Sequence, residues 1–369
     1  MLNIIYGRAA TGKSYKILEN IKNDVLNNKE VILLVPEQFT FESERALLKM
    51  LGNKSSTNVS VLSFSRLYDE ISRKTGGQIA NRITESDKTI LINRAFKSVA
   101  DKLKIWNKYS SSVRFSQNIL AAINELKSDA ILPEEILTAS NSINNSYLKL
   151  KLNDISVIYS AYNALLGNTF LDPSDDLTRL NTKLQEFKFF KNKNVYIDSF
   201  KNFTGQQYKI IEHIISQANN VCVSLTTNDI TSTDFSLFYN VNLTAQKIIS
   251  IAKKHGIVVN EPQKLKNNFY KNTDLSVIES HLAGNRQKYD KAFTNVFITK
   301  CENVADEAAY VAATIRKLVR TQNYRYKDFV IIARNAENYK NSIEKECKKT
   351  MFFAFLITEQ ALQTCLLLC

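Results

Sequence analysis

The feature that most constrains this chain is a glycine loop near its start, between a short apolar run and a helical pattern. The loop reads Gly7, Arg8, Ala9, Ala10, Thr11, Gly12, Lys13 and Ser14, which satisfies the P-loop pattern at every required position. Glycines let such a loop wrap a phosphate, its N–H groups point inward, and the following helix adds its positive end. The loop therefore predicts a nucleotide site. The plainer interpretation is a glycine-rich turn that binds nothing.

The chemistry of a P-loop assigns roles to particular side chains. Lys13 is expected to reach the β- and γ-phosphates, and Ser14 to hold Mg²⁺. A second magnesium group is predicted at Asp198, which closes an apolar run at 195–198. The alternative for Asp198 is a turn or helix-capping role.

Ser199 follows that aspartate, at the position where a helicase-type ATPase carries a glutamate that positions the attacking water. A serine is a poor general base, and general-base catalysis contributes roughly 10²–10⁴ in rate. The sequence therefore favours nucleotide binding over turnover, and it offers no confident catalytic residue.

Hydrophobic periodicity predicts an α/β fold for the first part of the chain. Apolar runs at 2–6, 30–35 and 59–63 predict strands, and helical spacing follows each of them at 14–26, 41–51 and 65–74. Alternating strands and helices indicate a parallel sheet covered by helices. We therefore expect a P-loop domain of the RecA-like type.

The pattern then changes and later returns. Residues 76–189 carry helical stretches at 85–103, 116–127 and 148–166, which predict a helical insertion. Strand patterns reappear at 194–198 and 221–226, so the first domain is expected to comprise 1–75 and 190–285. The remainder, 286–369, is expected to begin a second α/β domain, with strands at 295–299 and 328–333 around a helix at 306–320.

Two polar–aromatic segments follow the second and third strands. Gln38, Phe39 and Thr40 follow one, and Phe64 and Arg66 follow the other. Ligands usually sit at the carboxyl edge of a parallel sheet, and single-stranded DNA needs rings for its bases and donors for its phosphates. These residues are candidate DNA contacts. The alternative is helix capping with both rings buried in the core.

Composition narrows the partners. The net charge of +13 favours an anionic partner, nucleic acid or an acidic membrane, although a solvated lysine-rich surface would give the same balance. Five cysteines, an odd number without a C-x-x-C pair, argue against zinc and fit free thiols in a reducing cytoplasm. No signal peptide or membrane span is predicted, including in the apolar tail from residue 350.

In combination, these segments resemble the AddB (RexB) family, the B subunit of the bacterial ATP-dependent helicase/deoxyribonuclease. The resemblance rests on the P-loop with its preceding strand, on 33–40 (LLVPEQFT), on 61–67 (VLSFSRL), on 195–200 (VYIDSF) and on 326–334 (YKDFVIIAR). The order of these segments is specific, whereas each one alone, apart from the P-loop, is not.

The resemblance implies a superfamily 1 helicase fold: domain 1A as the P-loop domain, 1B as the helical insertion and 2A from residue 286. It also implies ATP with Mg²⁺, single-stranded or duplex-end DNA, and a helicase–nuclease A subunit (AddA-type) as partner. Such complexes resect double-strand breaks for homologous recombination, and proteins of the AddB family bind ATP in them without acting as a motor. Ser199 agrees with that role.

The chain also departs from the family pattern. Family members are much longer and carry a C-terminal nuclease domain and a four-cysteine iron–sulphur cluster, so neither nuclease activity nor a cluster is expected here. The change from a polar to an apolar composition near residue 350 suggests a frameshift or premature end; the alternative is a short paralogue whose tail docks on a partner. Two other functions stay open: an independent P-loop ATPase or kinase, and an interaction domain with a relic P-loop.

Overall fold

The computed structural model describes residues 1–55, 58–76, 81–167, 169–285 and 288–350. The chain divides into two compact units, Met1–Tyr289 and Asp290–Cys369.

The first unit is built on a six-stranded sheet. Its order is β3-β2-β6-β7-β1-β8, and every pairing recorded between these strands is parallel. The strands are β1 (Leu2–Gly7), β2 (Glu30–Leu34), β3 (Val59–Leu62), β6 (Lys193–Ile197), β7 (Asn220–Thr226) and β8 (Gln263–Lys264), and β4 (Asn81–Arg82) pairs separately with β5 (Phe170–Leu171). Most strands are continuous apolar runs, as expected for a sheet covered on both faces. The predicted α/β class with a parallel sheet is confirmed.

Helices cover the sheet and form a separate layer beside it. The helices of the first unit are α1 (Lys13–Leu26), α2 (Thr40–Ser55), α3 (Phe64–Thr75), α4 (Glu85–Ser98), α5 (Val113–Ser128), α6 (Pro133–Asn141), α7 (Ser146–Leu166), α8 (Asp176–Glu186), α9 (Gly205–Gln217), α10 (Tyr239–Lys254) and α11 (Thr273–Leu282). Alternate residues of each strand point to opposite faces. One face packs on α1 and α2, and the other on α3, α8, α9 and α10.

Helices α4 to α7 have a core of their own, with Phe96, Ile123 and Tyr162 fully buried. The predicted stretch at 85–103 is interrupted: α4 ends at Ser98, and two short 3-10 turns follow before α5. Helix α8 packs on the sheet core, although it falls within the predicted insertion.

Buried ion pairs join this helical layer to the start of α8. Lys127 Nζ lies 2.8 Å from Asp172 and 2.7 Å from Asp175, and Lys88 Nζ lies 3.1 Å from Asp172. Burial opposes ionisation of Asp172, but Lys127 and its other partners outweigh that effect and hold the pKa at about 2. The carboxylate therefore stays charged inside the protein, paired with two lysines.

The second unit corrects one prediction. Helix α12 (Val304–Thr321) forms where a helix was predicted, and α13 (Ala336–Lys349) follows it. The strands predicted at 295–299 and 328–333 do not form in the described part of this unit: both segments lack strand pairing. A strand needs a hydrogen-bonded neighbour, and the side chains of Ile298 and Ile332 are 98% and 87% exposed. The strands predicted for the start of a second α/β domain are thus wrong. The apolar tail from residue 351 lies outside the described residues.

Within the described ranges, no helix combines the length and apolar character that a bilayer crossing requires.

Candidate nucleotide-binding site

The eight P-loop residues connect the carboxyl end of β1 to the first turn of α1. Ala10 and Gly12 both adopt left-handed conformations, with φ of 54° and 84°. Left-handed residues interspersed in a turn direct successive N–H groups towards one concavity, which is the geometry of an anion-binding nest. The loop also precedes a 14-residue helix, whose positive end faces the same place.

Lys13 folds back over this loop. Its Nζ donates hydrogen bonds to the backbone oxygens of Gly7 (3.0 Å) and Arg8 (2.7 Å). Burial, the largest influence, lowers the pKa of Lys13, while the negative charges of Asp198 and Glu279 counteract it. The ammonium group is thus held over the concavity by two neutral acceptors that an anion can replace.

Two glycines have steric reasons to be glycine. A Cβ on Gly7 would lie 2.6 Å from Thr11 Oγ1 and 2.8 Å from the backbone oxygen of Leu265. A Cβ on Gly12 would lie 2.7 Å from the ring of Phe269, at a φ that side chains rarely adopt. Both contacts show that a second segment packs closely on the loop.

That segment follows β8 and was not recognised from the sequence. The N–H of Phe269 donates to the oxygen of Ala10 at 2.9 Å, and Arg8 forms an ion pair with Glu279 on α11 at 3.2 Å. The Phe269 side chain is 62% exposed beside the loop. Strand β8 is only two residues long and lies in an Asn/Lys-rich run. Its periodicity was therefore too short to predict a strand.

The other wall of the site comes from the ends of β6 and β7. Asp198 is 7% exposed, and its carboxylate accepts hydrogen bonds from the hydroxyls of Ser224 and of Ser199 (3.2 Å). Ser199 itself has a φ of 67°, in the left-handed region. Ser224 was not singled out from the sequence because a serine inside an apolar strand gives no specific pattern.

The loop and this wall enclose a cavity of about 380 Å³. Its lining includes the loop from Ala9 to Ser14 together with Asp198, Ser199 and Ser224. Clefts of about 300–1,000 Å³ hold small-molecule ligands. Asp198 is the one carboxylate among the lining residues that the structure describes, and it faces the same cavity as Ser14.

These residues fit a magnesium ion. Mg²⁺ prefers oxygen ligands and is usually held by one or two protein groups together with phosphates and water. The hydroxyl of Ser14 and the carboxylate of Asp198 provide such oxygens at one cavity. The structure thus brings the two predicted magnesium residues together.

Helix α1 is tied to β6 through its last turn. Asp24, in the last turn of α1, accepts hydrogen bonds from Tyr196 (2.7 Å) and Asn194 (2.6 Å) on β6. Burial of the Asp24 carboxyl opposes ionisation, but these bonds and Lys29 outweigh it and lower its pKa. The helix that starts at the P-loop is therefore anchored to the strand that ends at Asp198.

The residues predicted to contact DNA follow β2 and β3 and are not among the described lining of this cavity. Gln38 and Phe39 are exposed on a 3-10 turn, Glu37–Phe39, with the Phe39 side chain 36% exposed. Thr40 is buried, and its hydroxyl donates to the oxygen of Glu37 at 2.9 Å. Of this segment, only Gln38 and Phe39 have exposed side chains.

The second predicted segment is occupied by structural contacts. The ring of Phe64 is 6% exposed and packs edge-on against Phe200 and Phe203, at centroid distances of 5.7 and 6.3 Å. Arg66 forms an ion pair with Glu44 at 2.6 Å. This placement favours the alternative given for Phe64, core packing, over stacking on a base.

Residues 4–279 match the family model described as "ADDB, N-terminal", about three quarters of the chain. The chain belongs to this family. The resemblance inferred from the P-loop and the motifs that follow it is therefore confirmed.

Curated relatives extend the likeness beyond that match. Proteins of Caldanaerobacter subterraneus subsp. tengcongensis and Thermoanaerobacter sp. (strain X514) are 34% identical to this AddB-family chain over 347 and 354 residues, and one of Clostridium kluyveri is 33% identical over 354. Each is named as the B subunit of an ATP-dependent helicase/deoxyribonuclease. The matches cover 92–93% of this chain and 30–31% of each relative, so the chain spans about a third of the length of these relatives.

Proposed function

We propose that this chain binds ATP with Mg²⁺ at the P-loop and acts as the nucleotide-binding and DNA-contacting part of the B subunit of a helicase/deoxyribonuclease. The observation that carries the proposal is the meeting of Lys13, Ser14 and Asp198 at one cavity of about 380 Å³. Family membership supports the assignment, and the wholly parallel sheet with a P-loop after β1 supports a RecA-like domain.

The sheet order supports a direction for the nucleotide. Asp198 directly follows β6, on the β7 side of the P-loop, so the metal and terminal phosphate belong on that side. The nucleoside then leaves the loop on the opposite side, towards the segment after β8. Phe269 stands there with a largely exposed ring, and aromatic rings stack on bases. We therefore assign Phe269 as the platform for the base.

Turnover is proposed to be slow. Ser199 occupies the position after the metal-binding aspartate, and Asp198 itself is committed to Ser224 and Ser199. Without a second carboxylate in the described lining, an independent ATPase or kinase has no base to activate its nucleophile. Binding without rapid hydrolysis is what this arrangement supports.

In the cell, the proposed setting is a complex with a helicase–nuclease A subunit that resects double-strand breaks for recombination. The names of the relatives support a B-subunit role, and the net charge of +13 supports contact with DNA. Gln38 and Phe39 remain candidate contacts for a single strand because they are exposed at the carboxyl edge of the sheet.

Titration calorimetry with ATP·Mg²⁺ on the wild-type chain and on Lys13→Ala tests the proposal. Loss of a charged hydrogen-bond donor to phosphate costs about 1.5–3 kcal/mol, which predicts roughly a 10- to 150-fold weaker affinity. Equal affinities for the two proteins would remove Lys13 from the phosphate site. If the wild type gives no binding heat with ATP·Mg²⁺ and ATP competes with no other ligand, the P-loop is a relic that binds no nucleotide.

A further inference from the structure

A concentration of positive charge lies between two helices of the helical layer. Residues 94–114, termed here the basic connection, span the end of α4, two 3-10 turns and the start of α5. They hold six cations and one acid, Asp101, and so contribute +5 of the net +13. The six cations are exposed and form no ion pair within the described part of the chain: Arg94, Lys97, Lys102, Lys104, Lys108 and Arg114.

A buried carboxylate fixes the backbone of this connection. Asp154 on α7 is 1% exposed, and its two oxygens accept hydrogen bonds from three successive N–H groups, those of Lys104 (2.9 Å), Ile105 (2.9 Å) and Trp106 (3.1 Å). The N–H groups that an irregular loop leaves unpaired are thus satisfied from inside the protein. This anchoring reduces the conformational freedom that binding would otherwise have to remove.

Aromatic packing adds a second anchor. The Trp106 ring meets Phe115 at 5.4 Å, the Tyr109 ring stacks on Phe115 at 4.9 Å, and Phe115 packs against Phe96 in the helical core at 5.8 Å. The segment between the two helices is therefore attached to the core at both its backbone and its rings. A merely solubilising lysine surface requires neither attachment.

We propose that the basic connection is a contact surface for the phosphate backbone of DNA, with Asp154 as its positioning residue. The proposal rests on the DNA-contacting role proposed above and assigns it a place in the helical layer, away from Gln38 and Phe39. Exposed cations bind DNA by releasing its condensed counterions, without requiring a particular base sequence. The surface therefore accepts any sequence, and its contribution depends on salt.

The decisive comparison uses two variants of the full chain with equal loss of charge. One replaces four cations of the connection: Lys102→Gln, Lys104→Gln, Lys108→Gln and Arg114→Gln. The matched control replaces four other exposed lysines of the first unit that form no ion pair in the described residues: Lys22→Gln, Lys188→Gln, Lys191→Gln and Lys253→Gln. Affinity for a labelled blunt-ended duplex and for a single strand is measured by anisotropy over a salt series.

Each phosphate contact contributes about 0.9 to the slope of log affinity against log salt for duplex DNA and about 0.7 for a single strand. We expect the connection variant to flatten the duplex slope by roughly two to four units, and the control by less than about one. Equal changes in both variants would overturn the surface while leaving DNA binding intact. A wild type that binds no DNA would instead overturn the DNA role itself, and this surface with it.

Asp154→Ala tests the positioning role, because net charge and backbone anchoring predict opposite changes in DNA affinity for this variant. It makes the chain more positive by one charge, so a general attraction to DNA would strengthen binding. Loss of the fixed backbone is expected to weaken binding severalfold, with circular dichroism as the control for folding. Stronger or unchanged binding by a folded Asp154→Ala would overturn the positioning role.

Trp106 supplies a direct readout because it is the sole tryptophan of the chain. Its fluorescence should change when DNA binds the wild type and the control variant. An unchanged signal at saturating DNA would place the DNA elsewhere and overturn the proposal. If Asp154→Ala fails to fold, the paired charge variants and the Trp106 signal still show whether DNA contacts the basic connection.

Discussion

The two walls of the proposed nucleotide pocket differ in what they can do. The loop wall combines left-handed turns, a helix start and an ammonium group, all of which attract phosphate. The strand wall offers one carboxylate, and the residue beside it is a serine with a φ of 67°. Holding a nucleotide requires the first wall, whereas cleaving it requires a base on the second. The comparison therefore separates affinity from turnover in one site.

The largest expected effect concerns turnover. We expect ATP hydrolysis by the chain, with or without DNA, to fall below that of an ATPase with a base by roughly 10²–10⁴. Ser199→Glu by itself should not restore it, because a motor needs further groups besides this carboxylate. A phosphate-release assay measures both proteins. DNA-stimulated turnover by the wild type at ordinary enzyme rates would show that the strand wall supports hydrolysis, contrary to this expectation.

The next effect tests the loop wall. Phe269→Ala should weaken ATP binding by roughly 5- to 150-fold, the equivalent of about 1–3 kcal/mol for a stacked base. Binding of inorganic triphosphate should stay unchanged, because it has no base. Phe235→Ala is the matched control, since that ring is 93% exposed and packs on Tyr239, whereas Phe269 lies against Gly12 of the loop. Equal losses for ATP and triphosphate would mean that Phe269 supports the loop instead of the base.

A smaller effect tests the strand wall. Asp198→Asn removes the charge that is proposed to hold Mg²⁺ but keeps an oxygen acceptor for Ser224. We expect the gain in ATP affinity that Mg²⁺ provides to shrink about tenfold, with metal-free ATP bound as before. Calorimetry with Mg²⁺ and with a chelator makes the comparison. An unaltered response to Mg²⁺ would leave Asp198 with a turn-stabilising role only.

The smallest expected effect is the uptake of protons when the nucleotide binds. Burial lowers the pKa of Lys13, so some of its ammonium is lost at a lower pH than for an ordinary lysine. Phosphate favours the charged form and should raise that pKa, so binding at high pH takes up protons. Calorimetry at alkaline pH, in two buffers of different ionisation enthalpy, should detect proton uptake in the wild type. The same uptake in Lys13→Ala would assign the proton to another group.

The sequence predicted the loop wall better than the rest. Residues 7–14 are contiguous, so a local pattern contains the whole loop. The bounds of the strand and helix on either side of it agree with the prediction to within a residue or two. Phe269 and Glu279 reach the loop only through tertiary packing, more than 250 positions later. No local pattern reports such a contact.

Two other predictions depended on burial, which a sequence does not contain. A phenylalanine at the first turn of a helix suits a ligand or a core equally, and only the neighbouring Phe200 and Phe203 indicate the core for Phe64. Similarly, the apolar residues at 295–299 and 328–333 have strand composition. A strand also requires a partner, and none pairs with them in the described residues.

The link from Asp24 to Tyr196 and Asn194 has a consequence for the cost of binding. It joins the far end of the loop helix to the strand of Asp198, so the two walls are preorganised before any nucleotide arrives. The conformational entropy of placing the phosphate donors and the metal-binding oxygens side by side is thus lost during folding and not on binding. An incoming nucleotide has to order mainly itself and the Lys13 side chain.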